Sequence, residues 1–194
     1  MKYSKLNLGQ IEALVNKVGG LEGVIKILSG RVGVVRLKPW QTVQLGTFQS
    51  ESALRQALDD AGSDGGYEDG SGKSSRVLND IEISCPQTVD LVIVGVEDLG
   101  LFDVHTMEEI YRIAKGMGLD YCPDETAAQV LLQCKFNLKK ATNGNRLQFA
   151  MNPNKRNGNG FRIDEKDGKN YLNRYSNSLF YQRSGYEKFV FVLR

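Results

Sequence analysis

The chain has 194 residues, 41% hydrophobic and 25% charged, with 25 Lys+Arg against 23 Asp+Glu for a net charge of +2. That composition is that of a folded protein with a sizeable core and excludes wholesale disorder. The small total hides a sorting: residues 1–40 carry 7 Lys+Arg and 2 Asp+Glu, residues 41–130 carry 5 and 17, and residues 131–194 carry 13 and 4 together with 10 of the 17 aromatics.

Ile11, Leu14, Val15 and Val18 have the one-face spacing of a short helix that stops at Gly19 and Gly20. Leu21, Val24, Ile25 and Leu28 repeat the pattern up to Gly30, so a helical hairpin is expected, followed by a strand-like run over 31–37 that Pro39 ends. Ser50 is placed to cap a helix running to Asp60, with Leu54, Ala57 and Leu58 on its apolar stripe. Residues 62–75 hold five glycines and four serines, which predicts a mobile loop.

Residues 89–96 (VDLVIVGV) are nearly all β-branched or apolar, the pattern of a strand covered on both faces. Thr106 and Glu109 have capping-box spacing ahead of Met107, Ile110, Tyr111 and Ala114, and Gly116 and Gly118 mark that helix's end. Pro123 suits the first turn of a further short helix over 124–128. From residue 131 the period becomes two: Leu132, Cys134 and Phe136, then Leu147, Phe149 and Met151, then runs at 161–164, 171–175, 179–182 and 188–193. Breaks at 142–145, 154–160 and 166–169 separate them, so an antiparallel meander is expected, with KFVFVL at 188–193 as a central strand. The fold class is α+β: amino-terminal helices and a mixed central section packed on a carboxy-terminal antiparallel β-meander, in one domain over 1–194.

VNKVGGLEGVIKILSG, GLDYCPDE, the pair LLQCKF and RLQFAMNP, and the terminal FVFV together resemble a group of small uncharacterised bacterial proteins. The resemblance spans most of the chain but not residues 62–75. It implies a cytosolic bacterial protein of α+β type, and brings no reaction, cofactor or catalytic residue with it.

The longest apolar stretch, residues 91–96, is far short of the roughly 20 residues that cross a bilayer. Asn7 and Glu12 interrupt the amino terminus before any run that a secretory signal needs, so a cytoplasmic protein without membrane contact is expected. Cys85, Cys122 and Cys134 are too widely spaced for a zinc knuckle and read as reduced thiols, Cys134 as a core residue. Gly70-Ser-Gly72-Lys73-Ser74 resembles the end of a phosphate-binding loop, but Tyr67 stands where its first glycine belongs and no strand precedes it. His105, the only histidine, stands just ahead of Thr106 and reads as a residue at the start of the helix. Five carboxylate pairs, at 59–60, 68–69, 97–98, 108–109 and 124–125, are so alike that the sequence selects none as an acid/base couple. No catalytic, metal or cofactor site is indicated, and an enzyme is not expected.

The basic, aromatic last third carries the functional expectation. If the meander buries Leu132, Phe136, Leu147, Phe149, Phe161 and Ile163, alternation turns Lys135, Arg146, Gln148 and Arg162 to the opposite face. Lys139, Lys140, Lys155, Arg156, Arg174 and Arg183 extend that face, and Tyr171, Tyr175, Tyr181 and Tyr186 add aromatic anchors. Tyr and Arg are favoured interface residues, so a non-enzymatic module recognising a protein partner is expected. The alternative is single-stranded nucleic acid, its bases stacked on the same tyrosines.

Overall fold

The structure, a computed structural model, describes residues 7–29, 37–61, 81–155 and 159–194. These belong to two compact units that divide between Leu37 and Lys38. The strand expected at 31–37 lies mostly, and the Gly/Ser segment of 62–75 with its phosphate-loop-like residues wholly, outside the described residues.

The first unit is the helical hairpin of α1 (Leu8–Lys17) and α2 (Gly20–Leu28). Asn7 opens α1 with a reciprocal cap: its side chain accepts from the Gln10 amide at 2.9 Å, and its own amide donates to Gln10 Oε1 at 3.0 Å. Lys17 in the last turn complements the negative end of the helix dipole.

The second unit has α+β architecture, with a large strand-rich carboxy-terminal part. Its strands are β1 (Gln41–Leu45), β2 (Gln87–Gly95), β3 (His105–Thr106), β4 (Leu119–Asp120), β5 (Arg146–Phe149), β6 (Asn159–Lys166), β7 (Lys169–Ser176), β8 (Gln182–Arg183) and β9 (Lys188–Leu193). Its helices are α3 (Glu51–Asp60), α4 (Met107–Gly116), α5 (Thr126–Gln133) and α6 (Leu138–Thr142). The main sheet runs β1-β2-β9-β5-β6-β7, and β4 also pairs with β9. β5 lies parallel to β9, and every other pairing in the sheet is antiparallel. The last strand is thus inserted into the middle, where Phe189, Val190 and Phe191 are buried, as the two-sided apolar run predicts.

Alternation along β2 and β9 sorts the interior into two layers. Val89, Leu91 and Val190 join Leu54, Leu58, Ala127 and Val130 of α3 and α5 in one core. On the other face Phe191 meets Tyr111 of α4 edge-on at 6.3 Å, and Phe189 meets Tyr175 at 6.4 Å. Both faces of the central strands are therefore covered. β6 and β7 close through Asp167 and Gly168, at φ 52° and 77°, the two-residue turn whose twist fits a hairpin and which glycine adopts without strain.

Two expected strands are not strands: residues 179–180 are a turn that leads only to the two-residue β8, outside the main sheet, and the first run begins as helix. Residues 131–133 finish α5, residues 134–137 are irregular, and α6 follows, so the meander begins only at β5. The alternation at 132–136 was overridden by a polar ladder along α5: Gln129 Nε2 donates to Glu125 Oε2 at 2.8 Å, and Gln133 Nε2 to Gln129 Oε1 at 2.7 Å. Steps of four residues satisfy these side chains only in a helix. Phe136 then packs edge-on against Trp40 at 5.3 Å, a loop contact rather than a strand one. Cys134 is half-buried beside the same core.

Candidate interaction surface

The face opposite the β5-β6-β7 core is polar, and it binds itself. Asp164 accepts from Arg146 Nε at 3.1 Å, Arg162 Nε at 2.9 Å and Asn173 Nδ2 at 2.7 Å, so one carboxylate holds both arginines expected to face outward. Gln148 is buried and donates to Glu187. Tyr175 is buried too, its hydroxyl donating to the Phe149 carbonyl at 2.7 Å. Arg183 is 9% exposed, its guanidinium bonded to the Ser176 carbonyl and to Glu187 at 3.4 Å. Gln148, Tyr175 and Arg183 are thus corrected from surface to interior residues.

The other expected residues scatter. Lys135 is exposed in the irregular segment after α5, and Lys155 pairs with Glu82. Arg174 alternates to the same side as buried Leu172, away from the polar face, where Tyr171 lies half-buried opposite Asp164. Arg156 lies outside the described residues. Tyr181 and Tyr186 join an exposed aromatic group.

That group surrounds the small β3-β8 ribbon. His105 pairs with Arg183 and Thr106 with Gln182, and the Met107 and Glu108 amides donate to the carbonyls of Tyr181 and Leu179 at 3.1 and 3.2 Å. A Cβ on Gly185 would stand 2.6 Å from the Phe102 carbonyl oxygen, so residues 101–108 and 179–187 run side by side. On these two segments Phe102, Val104, Phe180, Tyr181 and Tyr186 are between 50% and 83% exposed.

The ribbon stands on a buried polar base. The Arg183 guanidinium lies 4.5 Å from the Tyr181 ring centre and 5.0 Å from that of Tyr175, between the exposed ring and the buried one. Asn177, fully buried, donates to the Met151 carbonyl at 2.8 Å and accepts from Tyr111, with the Tyr175 hydroxyl 3.2 Å from the same oxygen. Burial pushes the hydroxyl pKa values of Tyr111 and Tyr175 well up, so both remain neutral donors at physiological pH. The exposed rings are therefore presented by backbone that is fixed from beneath. Nothing in the short segment Leu101-Phe-Asp-Val104 marks Phe102 and Val104 as exposed.

A cleft of about 250 Å³ lies elsewhere, lined by Glu82, Ser84, Tyr121, Cys122, Pro123, Asp124, Asn152 and Lys155. Its cation is paired with its own Glu82. Its thiol, Cys122, is fully buried, donates to the Val190 carbonyl at 3.3 Å and has its pKa raised by burial, the opposite of an activated nucleophile. Of the carboxylate pairs, 59–60, 97–98 and 108–109 are exposed, 68–69 lies outside the described residues, and 124–125 is buried. His105 Nδ1 faces Glu109 Oε2 at 3.5 Å beside the start of α4. Among the described residues no three His, Cys, Asp or Glu side chains gather as a metal site requires. No helix among them is long and apolar enough to cross a membrane.

No protein family, curated protein or solved structure matches this chain, and nothing in those comparisons bears on the resemblance to small bacterial proteins.

Proposed function

We propose that this chain is a protein-interaction module whose binding surface is the aromatic ribbon of β3 and β8. The observation that carries the reading is the placement of Phe102, Val104, Phe180, Tyr181 and Tyr186, all largely exposed, on two backbone-paired segments. Single exposed apolar residues are ordinary, whereas a group of large ones rimmed by polar residues marks binding surfaces. Tyrosine and phenylalanine anchors supply much of the energy at such surfaces, and a prearranged backbone lowers the entropy cost of using them.

The basic sheet supports a nucleic-acid reading less well. Arg146, Arg162, Lys155, Lys139, Arg183 and Arg194 are each engaged by a carboxylate of the same chain, which reduces the charge available to phosphates.

A photoreactive residue placed at position 186, and separately at 140 on α6, tests the proposal in cells. Position 186 is expected to yield a protein adduct that disappears with Phe180→Ser, and position 140 none. An adduct insensitive to Phe180, or none from 186, overturns the surface. An adduct of nucleic acid, with steeply salt-dependent binding to a labelled single-stranded oligonucleotide, supports the alternative instead.

A further inference from the structure

We infer that the aromatic ribbon takes a basic, apolar segment of another protein, an aromatic or large aliphatic anchor flanked by Lys or Arg. This rests on the interaction-surface reading and adds the chemistry of the partner. Residues 96–109 and 177–187, which build the surface, contain six carboxylates and a single Lys or Arg, the latter being Arg183. Arg183 is interior and opposite Glu187, so it offers the surface no positive field. Glu97, Asp98, Asp103, Glu108 and Glu109 are all exposed. The rim of the aromatic group is therefore acidic, although it lies against the most basic third of the sequence.

Three occupants respond differently to such a rim. Nucleic acid would bring phosphates against carboxylates, which opposes binding however well its bases stack on Phe180 or Tyr186. A second copy docked face to face through this ribbon would set the same carboxylates against their own images. A cationic segment gains on both counts: its apolar anchor covers the rings, and its charges are drawn in by the rim, which speeds encounter and disfavours acidic competitors.

The test is a displayed random-peptide library selected on the full chain, followed by binding kinetics of the selected peptides. Peptides with Lys or Arg beside an aromatic or aliphatic anchor are expected, and they should lose binding to the double variant Phe180→Ser, Tyr186→Ser. Asp103→Lys with Glu108→Lys should slow their association about tenfold and change dissociation little, the signature of rim charge. Selected peptides that depend on Phe180 and Tyr186 but are neutral or acidic, or whose association ignores the charge reversal, overturn the inference and leave the interaction surface standing. If no selected peptide depends on Phe180 and Tyr186, the surface itself fails.

Discussion

Glu125 shows how much one residue holds in this fold. Its side chain is fully buried, with one carboxylate oxygen accepting from the amides of Gly46 and Ser84, each at 2.9 Å, and the other from Gln129 at 2.8 Å. It thereby joins the end of β1, the segment entering β2 and the start of α5. Glu125→Ala leaves two backbone donors and one amide without an acceptor, and should cost about 3 kcal/mol or more, read as a lower urea midpoint. Tyr111 and Tyr175 set a limit at the alkaline end. Burial raises both folded pKa values above the unfolded value of about 10, so the folded state holds these protons more tightly. Their contribution is complete below that unfolded value and declines as pH rises toward the folded ones. Thermal unfolding followed from pH 8 to 11 should show stability falling above about pH 10, by up to about 1.4 kcal/mol per pH unit for each tyrosine.

At the scale of elements, local signals were strongest where one residue closes one end. Thr106 Oγ1 accepts from the Glu109 amide at 3.3 Å, and Glu109 Oε2 accepts from the Thr106 amide at 3.0 Å, the capping box that the spacing predicts. The Thr106 amide and hydroxyl, both donating to Glu109 Oε2, with the nearby His105 hold the Glu109 carboxyl below its ordinary pKa. Thr106→Ala should lower stability by about 1 kcal/mol by chemical denaturation, and Thr106→Ser should keep most of it. Ser50 ahead of α3 and the Asp167-Gly168 turn were legible for the same reason: their partners lie within a few residues. The segment 131–136 was not, because its alternating pattern is short and the glutamine ladder that decides for helix reaches outward. Gln129 donates to Thr47 at 2.8 Å and Gln133 to the Gln44 carbonyl at 2.7 Å, partners more than 80 positions away in sequence.

Over the molecule as a whole, the charge sorting of the sequence is largely dissolved. Three of the four carboxylates in residues 131–194, Asp164, Glu165 and Glu187, are ion-paired with basic residues of the same third. Glu82 and Asp120 of the acidic middle add Lys155 and Arg194. What faces outward at the ribbon is acid from the acidic middle, Glu97, Asp98, Asp103, Glu108 and Glu109, set beside a segment of the basic third whose one arginine is interior. Because Phe180 and Tyr186 are more than four-fifths exposed, the double change to serine should shift unfolding free energy by no more than about 0.5 kcal/mol each while removing partner binding. Calorimetry of the variant alongside the binding assay checks both halves. A large loss of stability would mean that the rings belong to the fold rather than to an interface.

By itself the sequence determined the α+β class, the covered strands, read at 89–96 and 188–193, the helix starts at Ser50 and Thr106, and the hairpin at 167–168. Each follows from period, cap or turn chemistry acting over a few residues. Only the tertiary structure decided that β9 enters between β2 and β5, that Gln148, Tyr175 and Arg183 turn inward, and that Phe102 and Phe180 remain outside. Burial and charge pairing depend on which distant segments meet, and alternation along one strand specifies two faces without saying what will cover either.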